Sequence, residues 1–219
     1  MTAPAAFCRP KPLLRGVIHE LAFGVATSAG VLLVAAARGL PAKVACGVYA
    51  ASLAALLGIS ALYHRPTWPE RARSWLRRVD HSAIFVLIAG TYTPLALTLP
   101  TPVARQMLVV AWAGALLGVL RALLFPGARR WVVALLALAL GWASAAYLPA
   151  VQAMTGRWVT ALLAAGGALY SLGALAYALR RPDPWPRVFG YHEIFHALVV
   201  FGAGCHFAAI AAALPAVTA

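Results

Sequence analysis

The sequence predicts an all-α, polytopic membrane protein, a seven-transmembrane helix bundle with its N-terminus cytoplasmic and its C-terminus outside. Three observations carry this. The 219 residues are 63% hydrophobic with a mean hydropathy of +0.84, whereas a soluble domain is closer to half apolar. The apolar residues fall into seven runs, each near the ~20 residues that a helix needs to cross a bilayer. Lys and Arg gather at the ends of those runs, and far more of them at alternate ends.

The runs cover about 17–37, 43–63, 81–99, 105–124, 131–149, 158–179 and 191–213. Helix-breaking residues separate them: Gly39-Leu40-Pro41, Arg65-Pro66, Pro100-Thr101-Pro102, Pro126-Gly127 and Arg181-Pro182-Asp183-Pro184. The first run is read as a span and not as a cleaved secretory signal. It is long for a signal, it contains His19 and Glu20, and the second run follows almost at once. The organisation is therefore a cytoplasmic tail (1–16), one transmembrane domain (17–213) and a short C-terminal tail (214–219), with no internal repeat.

Orientation comes from the basic residues. The N-terminal tail and the ends reached after the second, fourth and sixth runs hold fourteen of the eighteen Lys and Arg. The alternate ends hold only Arg38, Lys43, Arg105 and Arg157. Positive residues stay in the cytoplasm, so the N-terminus is inside. The net charge of +13 is thus explained by topology and anionic lipid headgroups, and no nucleic-acid partner is expected. Cys8, Cys46 and Cys205 are far apart and form neither a C-x-x-C motif nor a disulfide framework.

This topology brings three distant motifs to one depth. The second run ends at His64, the third starts beside Asp80, and the seventh starts beside His192. All three points lie near the cytoplasmic leaflet. The segment Trp75-Leu76-Arg77-Arg78-Val79 between the first two is expected to lie flat in the interface as a short amphipathic piece.

Residues four apart share a helix face, so Ser60 pairs with His64 and His192 with His196. An i, i+4 histidine pair is a natural clamp for zinc. His64 adds a third imidazole from another helix. Three histidines and a water make the open arrangement of a catalytic Zn²⁺ site, in which the water's pKa falls toward ~7. Asp80 then serves as the base or fixes a histidine tautomer, and Ser60 hydrogen-bonds the water or Asp80. Ionisable groups inside a membrane are costly, which favours a functional reading. His19, His81 and His206 are read as hydrogen-bonded polar residues. His206 lies ten residues beyond His196, roughly 15 Å deeper. Glu193 is read as a structural or outer polar group, and Glu20 as a residue that hydrogen-bonds to the cluster from the first span.

At these residues the chain resembles the hemolysin III family, the bacterial branch of the progestin and adipoQ receptor superfamily. The matching segments are Ser60-Ala-Leu-Tyr-His64, Asp80-His-Ser-Ala-Ile-Phe-Val-Leu-Ile-Ala-Gly-Thr-Tyr-Thr-Pro94 and Phe189-Gly-Tyr-His-Glu-Ile-Phe-His196. The resemblance implies zinc on His64, His192 and His196, with Asp80 and Ser60 beside it. It also implies a bacterial inner (plasma) membrane as the localisation, kinship with the alkaline ceramidases and a link to membrane fluidity and energetics. Two functions follow as expectations. One is a zinc-dependent hydrolase of a lipid amide or ester, with membrane lipids as partners and substrate. The other is a non-enzymatic sensor or regulator in which zinc staples helices together. A channel is disfavoured, because no charged ring or filter-like segment is present.

Overall fold

In a computed structural model, described for residues 11–125, 127 and 130–217, the chain is helical nearly throughout. Helix α1 (Val17–Ala36) starts after Gly16, whose φ of 83° is open to glycine at little cost. Proline then starts helix after helix, where its missing N–H and fixed φ do no harm. Pro41 opens α2 (Leu40–His64), Pro69 precedes α3 (Glu70–Ala96) and Pro102 opens α4 (Thr101–Leu124). After α5 (Arg130–Trp142) the chain tightens into a 3₁₀ turn (Ala143–Tyr147), and Pro149 opens α6 (Leu148–Thr155). Helices α7 (Arg157–Leu179) and α8 (Tyr191–Val217) complete the bundle.

Six of these stretches are long and apolar enough to cross a membrane: α1, α2, α4, Trp131–Thr155, α7 and α8. With this composition the chain is a multi-pass integral membrane protein. The expected third span is the exception. Helix α3 is long enough, but Glu70, Arg71, Arg73, Arg77, Arg78 and Asp80 make its first half polar. Nor is 75–79 a separate flat segment. With no breaker between Pro69 and Pro94, the helix simply runs through it. The fifth run differs too. Its helix is interrupted at Ala143–Tyr147, and the Tyr92 hydroxyl faces the Leu140 and Gly141 carbonyls beside that break, each at 2.8 Å. The last helix runs on to Val217, past the expected end at 213.

The helices close into a ring: α1 on α2, α2 on α3, α3 on α4, α4 on α5, α5 on α7, α7 on α8, and α8 back on α1. Lipid is as apolar as leucine, so close packing and not exclusion from water must hold such a bundle together. Small residues permit the approach. A Cβ at Gly90 would run into Ser52, one at Gly118 into Phe85 and one at Gly166 into His206. Large side chains such as Leu21, Leu32, Leu117 and Phe201 face outward.

Two local devices place the ends that matter. Leu13 and Leu14 donate to the Arg187 and Val188 carbonyls at 3.0 and 3.1 Å, tying the N-terminal segment to the loop before α8. The Lys11 ammonium caps the end of α2 by donating to the His64 and Arg65 carbonyls at 2.9 and 2.6 Å.

Candidate metal centre

Ring closure sets the first turns of α8 against the last turn of α2. His64 is the final residue of α2, and His192 and His196 stand one turn apart on α8. The Nε2 atoms of His64 and His192 are 3.3 Å apart, and one nitrogen from each of the three rings lies within 4.8 Å of the others. In a tetrahedral site with zinc–nitrogen bonds of ~2.0–2.1 Å, two nitrogens are about 3.3–3.4 Å apart. Three imidazoles suit zinc in chemistry, and the His64–His192 pair matches it in spacing. His192 and His196 are buried.

Asp80 and Ser60 are buried as well and are hydrogen-bonded to one another. Asp80 does not join the close set of donor atoms, which among the described residues consists of the three imidazoles. All five residues line one cavity of about 1300 Å³. The cavity reaches from the arginine-rich end of the bundle to Leu95, Met107 and Val151 in its apolar interior.

The remaining titratable residues separate by their partners. His206 is deep, with its Nε2 3.2 Å from the Leu163 carbonyl and its ring against Tyr170. It stands apart from the cluster, as its position in the sequence implies. Glu20 does not reach the cluster. It pairs with Arg65 at 2.7 Å on the outside. Glu193 is only 1% exposed; it accepts from Arg15 Nε at 2.5 Å and from the Gly190 amide at 2.8 Å. A buried carboxylate needs such a pair, and this one locks the N-terminal segment to the start of α8. Arg15→Ala leaves Glu193 buried and unpaired. It is expected to cost about 3–5 kcal/mol, read as a lower denaturation midpoint in detergent. Arg65→Ala, at the exposed pair, should cost less than about 1 kcal/mol.

His19 departs from expectation. It is read from the sequence as a hydrogen-bonded polar residue, yet neither of its ring nitrogens has a partner. Instead its ring stacks on His196, with centroids 3.9 Å apart and planes 6° from parallel. A fourth imidazole thus supports the cluster from α1. The available signal was its depth, two residues into the first helix and, in the topology expected from the sequence, on the same side as His64.

Comparison with known proteins identifies the family. The family described as Haemolysin-III related matches residues 7–207. The chain belongs to the haemolysin-III-related family. It is 35% identical to Hemolysin-3 of Bacillus cereus over 170 residues, which cover 76% of this chain and 73% of that protein. It is 32% identical over 162 residues to the Hemolysin-3 homolog of Bacillus subtilis (strain 168), covering 73% and 72%. A more distant relative, Monocyte to macrophage differentiation factor of Homo sapiens, is 27% identical over 176 residues, covering 77% and 69%. For a haemolysin III chain, the family match spans all five residues of the site, from Ser60 to His196.

Proposed function

We propose that this haemolysin III protein is a zinc-dependent hydrolase of an acyl amide or ester in a membrane lipid. The observation that carries the reading is a cluster of three close imidazoles set in the wall of a cavity whose interior is apolar. An acyl chain fits that interior, and the scissile bond then lies at the level of the histidines. His64, His192 and His196 would hold the metal. Zinc, when bound, supplies Lewis acidity and a more acidic water.

This chain's own groups do the rest. Asp80 is the base: it takes a proton from water as the water oxygen bonds to the acyl carbon. It then delivers that proton to the leaving nitrogen or oxygen as the carbon–heteroatom bond breaks. Ser60 orients Asp80, to which it is hydrogen-bonded. The donor spacing leaves Asp80 outside the close set, which supports an open site over a closed four-ligand one. The test is fatty-acid release from a panel of lipid amides and esters by zinc-loaded protein in detergent. No release above a zinc-free control from any of them argues against the hydrolase.

A regulatory reading has one observation in its favour. The ligands come from two helices, α2 and α8, so metal would tie those helices together. Zinc removal that shifts the α2–α8 separation, with no turnover in any state, would favour it.

The reading includes topology. We take α3 as the seventh span, with the N-terminus in the cytoplasm of a bacterium and the bundle in its plasma membrane. The unequal distribution of Lys and Arg supports this. An alkaline phosphatase reporter fused after Ala219 is expected to be active, and one fused after Arg78 inactive. The reverse pattern would put the histidine cluster near the opposite leaflet.

A further inference from the structure

The basic end of the cavity holds a second feature, which the metal chemistry does not use. Arg78 on α3 and Arg121 on α4 both line the cavity; Arg121 stands in the last turn of α4, and Arg78 reaches the backbone of that turn. Arg78 donates Nη1 to the Leu123 carbonyl at 3.1 Å, and its guanidinium lies 4.7 Å over the Trp75 ring. Those contacts fix the side chain but leave donors over. Arg78 Nε and Arg121 Nη2 are fully buried and make no hydrogen bond.

No carboxylate answers these charges. Glu193 is taken by Arg15 and Glu20 by Arg65. Of the acidic residues on the cavity wall, Asp80 is held by Ser60, Asp183 accepts from the Tyr191 amide, and Glu70 is exposed in the first turn of α3 with no salt bridge to either arginine. Lys11 and Arg73 add positive charge to the same mouth. Burial, and then Arg65, Arg15 and Arg73, hold the Lys11 ammonium pKa below its ordinary value. Two guanidinium groups with unused buried N–H donors and no counter-charge are costly, because each unmet donor forfeits its desolvation energy. Snorkelling to bulk headgroups does not relieve this, since it satisfies only the exposed face of a guanidinium.

We propose that Arg78 and Arg121 form an anion seat in the cavity wall for the phosphate of an anionic, acyl-chain-bearing lipid. A small rotation of the two side chains turns their free N–H groups onto phosphate oxygens, the partner whose geometry a guanidinium fork matches. The acyl chain then runs toward Leu95 and Met107. The proposal rests on the hydrolase reading only in calling this lipid a substrate; the seat itself stands on binding alone.

The test measures binding and not turnover. Zinc-loaded, detergent-purified protein is titrated with a monoacylglycerol phosphate, with the matching neutral monoacylglycerol and with inorganic phosphate. Tryptophan fluorescence is the readout. The phosphorylated lipid is expected to bind at least about 10-fold more tightly than the neutral one. Arg121→Gln should reduce that preference about 10- to 100-fold, as loss of a charge-assisted hydrogen bond of ~1.5–3 kcal/mol implies. Arg78→Lys, which keeps the charge but not the fork, serves as a second variant should Arg121→Gln fail to fold. Arg38→Gln, on the loop between α1 and α2 and away from the cavity, should change nothing. Equal binding of the two lipids overturns the proposal, and so does a preference that survives both cavity variants. Inorganic phosphate binding as tightly as the phosphorylated lipid overturns the lipid source and assigns the seat to free phosphate. Absence of turnover in the wild type counts against the hydrolase and leaves the binding comparison standing.

Discussion

Detergent-purified protein is expected to carry near-stoichiometric zinc, and His192→Ala to lose nearly all of it. The expectation rests on how few donors are present. The close set contains the three imidazoles, so removing one leaves two. Loss of even an outer partner costs ~10–100-fold in metal affinity, and a direct ligand should cost more than about 100-fold. His192 also makes the 3.3 Å approach to His64, so its removal takes away one of the ring contacts between α2 and α8. Elemental analysis after gel filtration reads the zinc directly. A second reading is thermal: added zinc should raise the melting temperature of the wild type, because a ligand that binds only the folded state stabilises it. That rise should vanish in His192→Ala. His206→Ala is the control, because His206 bonds to Leu163 far from the cluster. Full zinc retention in His192→Ala would remove the metal assignment, and the mechanism with it.

Asp80→Asn is expected to keep zinc, fold and lipid binding while losing about 10²–10⁴-fold in turnover, the usual contribution of a general base. Asparagine retains the shape and can still accept from Ser60, but it cannot take a proton. Asp80 is singled out by its surroundings. Glu193 is saturated by Arg15 and the Gly190 amide, Glu20 is outside with Arg65, and Asp183 is engaged with the Tyr191 amide. Asp80 alone is a buried carboxylate on the cavity wall beside the histidines whose described partner is a hydroxyl. Product formation from one cleaved lipid, measured at saturating zinc, reads the effect. A variant that loses zinc in parallel with activity would make Asp80 a structural group and not the base.

Much of this molecule was legible before any coordinates. Hydropathy marks most of the helices because spanning a bilayer needs a continuous apolar length, and proline and glycine mark the breaks for stereochemical reasons. Depth is also a one-dimensional property. His64, Asp80 and His192 all stand beside run ends of the same parity, and the three imidazoles do meet. The i, i+4 spacing of His192 and His196 places them on one face by helix geometry alone.

What the sequence could not determine is what depends on neighbours around the ring. That α1 packs against α8 decides that His19 stacks on His196, and no local pattern announces a contact between residues so far apart. The same closure pairs Arg15 with Glu193 across 178 positions, giving the structural role read for Glu193 its partner. The polar start of α3 looks like an interfacial segment by composition. It is helix because Pro69 starts it and nothing breaks it. The sequence by itself determined the helical membrane class, the run ends and the set of residues sharing one depth, because these follow from apolar length and helix period. Only the tertiary structure decided which imidazoles touch, which carboxylate is left for chemistry and which arginines keep unused buried donors at a cavity wall. Those outcomes depend on each helix's rotation and neighbours, which packing of the whole ring sets.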